Sequence, residues 1–183
     1  MKRLFIITLT IVLFLKGYAQ DNPDILLWSS THRLTIDDFG IKKENSKSGL
    51  SFAQFSMGYS VNGFDFLTRN FNKKVKNTML TSASWIDTTN NVELSLRYQQ
   101  TLFDLMEIYT RKFRKELREN RKQIAKGLTI VHEIDARIST DFAKRRLEYE
   151  AETNSGTNTE KQLIWEQQIR QELLELSDYE YDK

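Results

Sequence analysis

The stretch Leu96–Leu117, LRYQQTLFDLMEIYTRKFRKEL, decides how the rest of the chain is read. Tyr98, Leu102, Leu105, Met106, Tyr109, Phe113 and Leu117 recur at spacings of three and four, the period of one apolar stripe on an α-helix. With its flanks, the pattern predicts a helix from about Val92 to Asn120. Asp104, Glu107 and Arg111 fall on the side away from the stripe. Glu107 and Arg111 are spaced i,i+4 in the order that supports an exposed helix surface. Lys112, Arg114, Lys115 and Arg118 extend a basic run from Arg111, but Glu116 and Glu119 interrupt it. A solvated helix face is expected there rather than a polyanion site.

Downstream the helical period continues. A second helix is expected from about Arg121 to Ala151, with Val131, Ile134, Ile138, Phe142 and Tyr149 on one face and Gly127 weakening its first turns. The polar turn Thr153–Thr159, around Asn154-Ser155-Gly156, ends it. Thr159 with Gln162 has the spacing of a cap for a third helix, whose stripe is Trp165, Ile169, Leu173 and Leu176. The Asp178–Lys183 tail is polar and expected to fray.

Upstream the period is that of strands. Ile25–Trp28 and Arg33–Ile36 read as short extended segments. Leu50–Val61 alternates through Phe55, Met57, Tyr59 and Val61, whereas Leu50 and Phe52 have the opposite parity; a bulge near Ala53–Gln54 restores a single face. Asn62-Gly63 is a type I′ hairpin signal, with Phe64-Asp65-Phe66 beginning a return strand, and a further strand ends at Ser82–Ile86. Strands over about residues 25–86 followed by helices over about 92–178 predict an α+β domain with a small antiparallel sheet packed against the helices.

Composition bounds the function. Lys2 and Arg3, the apolar run Leu4–Leu15 and the small residues Gly17-Tyr18-Ala19 read as a signal peptide over residues 1–19. The run is short for a membrane span, and no later segment is apolar enough for one. An exported chain, periplasmic or extracellular, is the expectation. The formal charge of +2 includes the leader's Lys2, Arg3 and Lys16 and no acid, so the rest of the chain stands at −1. That balance gives no cationic drive towards nucleic acid. The absence of cysteine excludes disulfides, thiolate metal sites and lipid attachment through cysteine. A single proline and no long linker point to one domain over residues 20–183.

Four segments carry a resemblance. Trp28 precedes Leu34-Thr35-Ile36-Asp37-Asp38-Phe39-Gly40, and Ser84-Trp85-Ile86 precedes the first helix. On that helix stand Tyr98-Gln99-Gln100-Thr101-Leu102-Phe103-Asp104, then Glu107, Tyr109, Arg111 and Lys112. Later, Tyr149-Glu150-Ala151-Glu152-Thr153-Asn154-Ser155-Gly156 is followed by Gln162 and Trp165. In this order they resemble the Trp…Leu-Thr-Trp-x-Asp-Phe-x-Gly, Ser-Trp-Val, His-Glu-Gln-x-His-Phe-Asp and Tyr-Asp-x-Glu-Thr-x-His-Gly…Gln…Trp motifs of the domain-of-unknown-function 922 family, described as predicted secreted zinc-dependent proteases. The resemblance places the family's two metal histidines on Tyr98 and Leu102, its catalytic glutamate on Gln99, and a further histidine on Ser155. Two histidines at i and i+4 share a zinc ion on one helix face, and the glutamate works on the metal-bound water. Leu102 has no donor atom. Tyr98 would need a phenolate, against an ordinary pKa near ~10. Gln99 is an amide and cannot act as a general base. No catalytic residue, metal or cofactor is expected at these positions.

Other candidates are few. His132-Glu133 has Ala136 where a second histidine would stand, lies about a quarter turn off its helix's stripe, and offers Glu133 to Arg137 as another i,i+4 pair. His32 reads as a loop residue. Ser155 has no histidine base, and neither a glycine-rich phosphate loop nor a Gly-x-Ser-x-Gly turn is present. Trp28, Trp85 and Trp165 read as packing residues. The expected function is an exported, non-catalytic relative of the protease-like family that binds a protein, peptide or envelope component. The alternatives are a metal-dependent hydrolase with a site rebuilt from Asp104, Glu107, His132 and Glu133, and a structural envelope component. Partner identity and oligomeric state stay open.

Overall fold

The computed structural model describes residues 24–47, 50–62, 65 and 71–183. The leader expected over residues 1–19 lies outside the described residues, as do Gly63, Phe64 and Phe66 of the expected hairpin and return strand. Asp65 itself folds back on Asn62: its N–H donates to the Asn62 carbonyl at 3.1 Å, and its carboxylate accepts the Asn62 N–H at 2.7 Å. No helix among the described residues is long and apolar enough to cross a membrane.

The α+β class holds, but the sheet is mixed rather than antiparallel. Strand β4 (Val75–Asp87) is its spine. β1 (Ile25–Leu27) and β3 (Ser51–Tyr59) pair with it antiparallel, while β2 (Ile41–Lys43) pairs with it parallel, Ile41 opposite Trp85. β2 is three residues long and does not alternate, so periodicity could not announce it. The segment expected to be extended at Arg33–Ile36 instead enters a 3₁₀ turn at Ile36–Asp38. Thr35 caps that turn through Asp38, its N–H donating to Oδ2 at 2.7 Å, and this local side-chain bond outcompetes a ladder.

An irregularity falls where the bulge is expected, near Ala53–Gln54, but its extra residues are on β4, and Phe52 stays on the exposed face instead of joining Phe55, Met57 and Tyr59. Phe52 faces Trp85 but Gln54 faces Leu80, so β4 sets Thr81–Ser84 against Ala53 alone. Ser84 bridges the irregularity: its hydroxyl donates to the Leu80 carbonyl at 2.7 Å and accepts the Gln54 N–H at 3.0 Å. At the end of β4, Asp87 organises the turn into the helices. Its carboxylate accepts from the Thr89 hydroxyl (2.6 Å) and from the N–H groups of Thr89 (2.8 Å) and Ser46 (2.6 Å). These donors hold the acid well below the usual carboxylate range.

The helices are α1 (Val92–Glu119), α2 (Arg121–Ile124), α3 (Thr129–Thr153) and α4 (Thr159–Glu175). The chain breaks around Gly127, which splits the expected second helix into α2 and α3. The α4 cap is Asn158, whose side chain accepts the Lys161 N–H at 3.2 Å, rather than Thr159 with Gln162. α1 is the central element. Its stripe packs on α3 and α4 through Val131, Ile134, Ile138, Trp165 and Ile169. Phe103 turns the other way, into Trp28, Leu34, Phe39, Met79 and Ile86, and stacks on Phe55 at 4.7 Å.

Because α1 lies between the sheet and the other helices, its polar face is buried too. Glu107 is 1 %, Arg111 3 % and Arg114 1 % exposed. This corrects the expectation of a solvated face: the Glu107–Arg111 pair exists, at 3.1 Å, but inside the protein. Arg114 joins it at 2.8 Å and also donates to the carbonyls of Val75 and Tyr179. The Asp178–Lys183 tail is therefore tied down rather than frayed, with Asn72 donating to the Asp178 and Glu180 carbonyls as well. Arg137, expected to pair with Glu133, pairs instead with Glu116 of α1.

Candidate functional site: a cleft beside Tyr98

The turn after α3 is built to approach α1. Asn154 and Ser155 both take positive φ, 47° and 54°, and Gly156 follows at 86°. The Thr153 hydroxyl donates to the Tyr149 carbonyl at 2.7 Å and accepts the Gly156 N–H at 3.2 Å. A Cβ on Gly156 would lie 2.7 Å from the Tyr98 Cβ, so only glycine allows this approach. Replacing Gly156 with alanine combines a left-handed backbone with that clash. A loss of about 2 kcal/mol is expected in urea unfolding, and a change within about 0.5 kcal/mol would contradict the contact.

The remaining residues of the downstream motif brace the same turn. Tyr149 stacks on Tyr98 with ring centroids 5.3 Å apart and meets Trp165 edge-on at 5.4 Å. Its hydroxyl donates to Gln162 Oε1 at 2.7 Å. Gln162 in turn donates to Thr101, and Trp165 donates to Glu152 at 3.0 Å. Tyr149, Glu152, Thr153, Gly156, Gln162 and Trp165 thus form one connected brace between α3, α4 and α1.

In front of the brace is an open cleft of about 350 Å³. Tyr98, Gln99 and Leu102 of α1 line it, Ser155 and Thr157 come from the turn, and Leu50–Ala53 of the β3 end form the facing wall. The structure therefore brings together the four positions singled out from sequence, although Ser155 lies far from the others along the chain. Ser95, Arg146 and Glu150 complete the lining and were not foreseen. Glu150 belonged to a motif segment but had no assigned role; Ser95 carried no signal.

The chemistry available there is not that of a metal site. Leu102 is 2 % exposed and part of the core. Burial, then the Glu150 carboxylate, push the Tyr98 phenol well above its ordinary range, against the opposing pull of Arg146 and Ser155, so a phenolate ligand is disfavoured further. Arg146 and Glu150 pair with each other at 2.7 Å. Gln99 donates through Nε2 to the Ser51 hydroxyl at 3.0 Å, while its Oε1 is buried without a partner. The Ser95 hydroxyl is likewise buried and unpartnered. Two buried polar atoms without partners, each costing about 1–3 kcal/mol, thus belong to side chains that line one cleft.

The rebuilt metal set does not assemble. Asp104 lies elsewhere on α1, accepting from Trp28 Nε1 and Gln100 Nε2, both at 2.8 Å. Glu107 is locked between Arg111 and Arg114. His132 and Glu133 are exposed on α3, and His32 contacts Asp38 in its loop at 3.1 Å. Among the described residues no three His, Asp or Glu side chains converge to hold a metal. Trp28 and Trp165 are buried, as packing residues should be; Trp85 is half-buried under the Lys43 ammonium at 3.7 Å. No family model, curated protein or solved structure matches the chain.

Proposed function

We propose that the chain is an exported, non-catalytic relative of the secreted zinc-protease-like family its motifs resemble, and that it binds a peptide or protein segment in the cleft beside Tyr98. One observation carries this reading: Tyr98, Gln99, Leu102 and Ser155, the positions where the resemblance puts ligands and base, line a single cleft that is open, braced and without the side chains for zinc chemistry. The wall opposite α1 supports a peptide in particular. Among the described residues β3 pairs only with β4, so its other edge offers backbone donors and acceptors to an extended segment. Gln99 lines the cleft with an amide oxygen that no protein group satisfies, and Phe52, an exposed aromatic on the rim, supplies apolar contact.

The test has two arms on residues 20–183 refolded with zinc. Metal analysis is expected to return far less than one zinc per chain; one tightly bound zinc overturns the reading. Peptides selected from a random displayed library are expected to lose at least tenfold in affinity on Gln99→Leu, with the fold intact by circular dichroism. Failure to select any binder, or binders indifferent to that change, counts against the cleft as the site.

A further inference from the structure

A second and larger cavity, about 580 Å³, opens on α1 from the opposite side. Thr101, Asp104 and Arg111 of α1 form its back, the Trp28–Arg33 loop one wall, α4 from Glu166 to Leu174 another, and Ser177 and Glu180 its end. The volume is that of a small-molecule site. Its base is apolar, made by Trp28, Ile169 and Leu173.

The charges in the lining are unequal in their freedom. Every acid is already engaged. Asp104 accepts from Trp28, Gln100 and Arg33. Glu166 is gripped by both arms of Arg97 at 3.1 Å, and Glu180 faces Arg111 at 3.5 Å. Arg111 is itself spent, on Glu107, on the Leu173 carbonyl and on the Trp28 ring face. Two cations at the mouth are not. Arg33 uses one N–H, towards Asp104, and its side chain is 68 % exposed. Arg170 is exposed and makes no ion pair or hydrogen bond among the described residues.

We propose that this cavity binds a small carboxylate with an apolar body. The body rests on Trp28, Ile169 and Leu173, and Arg170 and Arg33 hold the head. A guanidinium fork matches a carboxylate in two parallel hydrogen bonds. After the internal pairs are formed, only Arg170 is uncompensated, so one negative charge is matched and a second would face Asp104, Glu166 and Glu180. That arithmetic favours a monoanion over a phosphate dianion. A ligand cation finds no acid with a free valence. The inference is independent of the cleft beside Tyr98.

Calorimetric titration of residues 20–183 with octanoate and with 3-phenylpropanoate tests it, with acetate, octan-1-ol and inorganic phosphate as controls. Saturable binding of either carboxylate is expected, the tighter one showing whether the body is acyl or aryl, with each control at least tenfold weaker. Arg170→Gln, at an exposed position, should leave the unfolding midpoint unchanged and weaken binding about tenfold, the loss of one charged hydrogen-bonding group. Gln99→Leu, in the other cleft, should leave the affinity as it is. No saturable binding at millimolar ligand overturns the proposal, as does octan-1-ol binding as tightly as octanoate, or indifference to Arg170→Gln.

Discussion

Replacing Glu107 with alanine is expected to lower the unfolding free energy by about 3–5 kcal/mol, the cost of leaving buried charge uncompensated. A domain of this kind holds about 5–15 kcal/mol in all, so the variant approaches the edge of folding. Glu107 Oε1 accepts from Arg111 Nε at 3.1 Å and Arg114 at 2.8 Å, and none of the three residues is more than 3 % exposed. Without the carboxylate, Arg114 keeps the carbonyls of Val75 and Tyr179, and Arg111 keeps that of Leu173. Carbonyls satisfy the N–H groups but do not cancel two neighbouring positive charges. Burial already pulls the Arg114 guanidinium below its ordinary range, with Glu107 working against it, and removing Glu107 leaves burial unopposed.

Glu116→Ala provides the comparison. It also deletes a carboxylate that holds an arginine, Arg137, but that arginine is 53 % exposed, and a loss of about 0–1 kcal/mol is expected. Urea unfolding of the two variants separates the cases; similar small losses would refute the buried network. Amide exchange supplies a second readout. The arginines of the network hold the backbone at Leu173 and Tyr179, so faster exchange over residues 177–183 should accompany Glu107→Ala and not Glu116→Ala.

The same residues show where sequence reading succeeded and where it stopped. The stripe from Tyr98 to Leu117 revealed α1 almost to its ends, because apolar periodicity marks a face that must leave water. It could not reveal that the opposite face leaves water as well. Glu107, Arg111 and Arg114 have the spacing of surface residues, and their burial follows from β4 and the C-terminal segment closing over them. Those contacts are set by tertiary packing and leave no local period. β2 went unseen for the complementary reason: three residues with two lysines carry no strand signal, and their pairing depends on where the Ile36–Asp38 turn delivers the chain. The parity change between Phe52 and Phe55 marks where the pairing is irregular but not how: β3 alternates without a break, Phe52 stays outward, and the extra residues belong to β4, where no parity change announces them.

At the site, the motif positions were legible but their purposes were not. From sequence, Gly156 reads as part of a turn, Gln162 as part of a cap and Trp165 as a packing residue, and Glu152 is only a point of resemblance. The structure gives each a mechanical task in holding Ser155 near Tyr98: a left-handed turn without a Cβ, an acceptor for an indole, and a buried amide between Tyr149 and Thr101. Tyr98 and Leu102 were expected to join the apolar face, and they do, yet the cleft still opens over them. Burial of the side chain and access to one of its edges are compatible at the rim of a helix.

That geometry allows a constructive experiment with a large expected effect. Tyr98→His, Gln99→Glu, Leu102→His and Ser155→His, made together, should create a zinc site at positions whose native side chains offer no imidazole. The two α1 positions are i and i+4 on one helix face, the spacing that lets two imidazoles share a tetrahedral ion. Ser155 supplies the third direction from across the cleft, and its positive φ of 54° is one that histidine tolerates better than most side chains. Before metal is added the variant should be less stable than the native chain. It gives up the Tyr98–Tyr149 stack, worth about 1 kcal/mol, and puts an imidazole where Leu102 is 2 % exposed. Zinc at a thousand times its dissociation constant should then add about 4 kcal/mol through linkage, a rise readable in urea or thermal unfolding. Omitting only Ser155→His should weaken zinc at least tenfold, because a two-histidine site lacks its third protein ligand. Should the fourfold variant bind zinc no better than the native chain, the four positions do not converge as a metal site requires, and the proposed kinship is overturned with them.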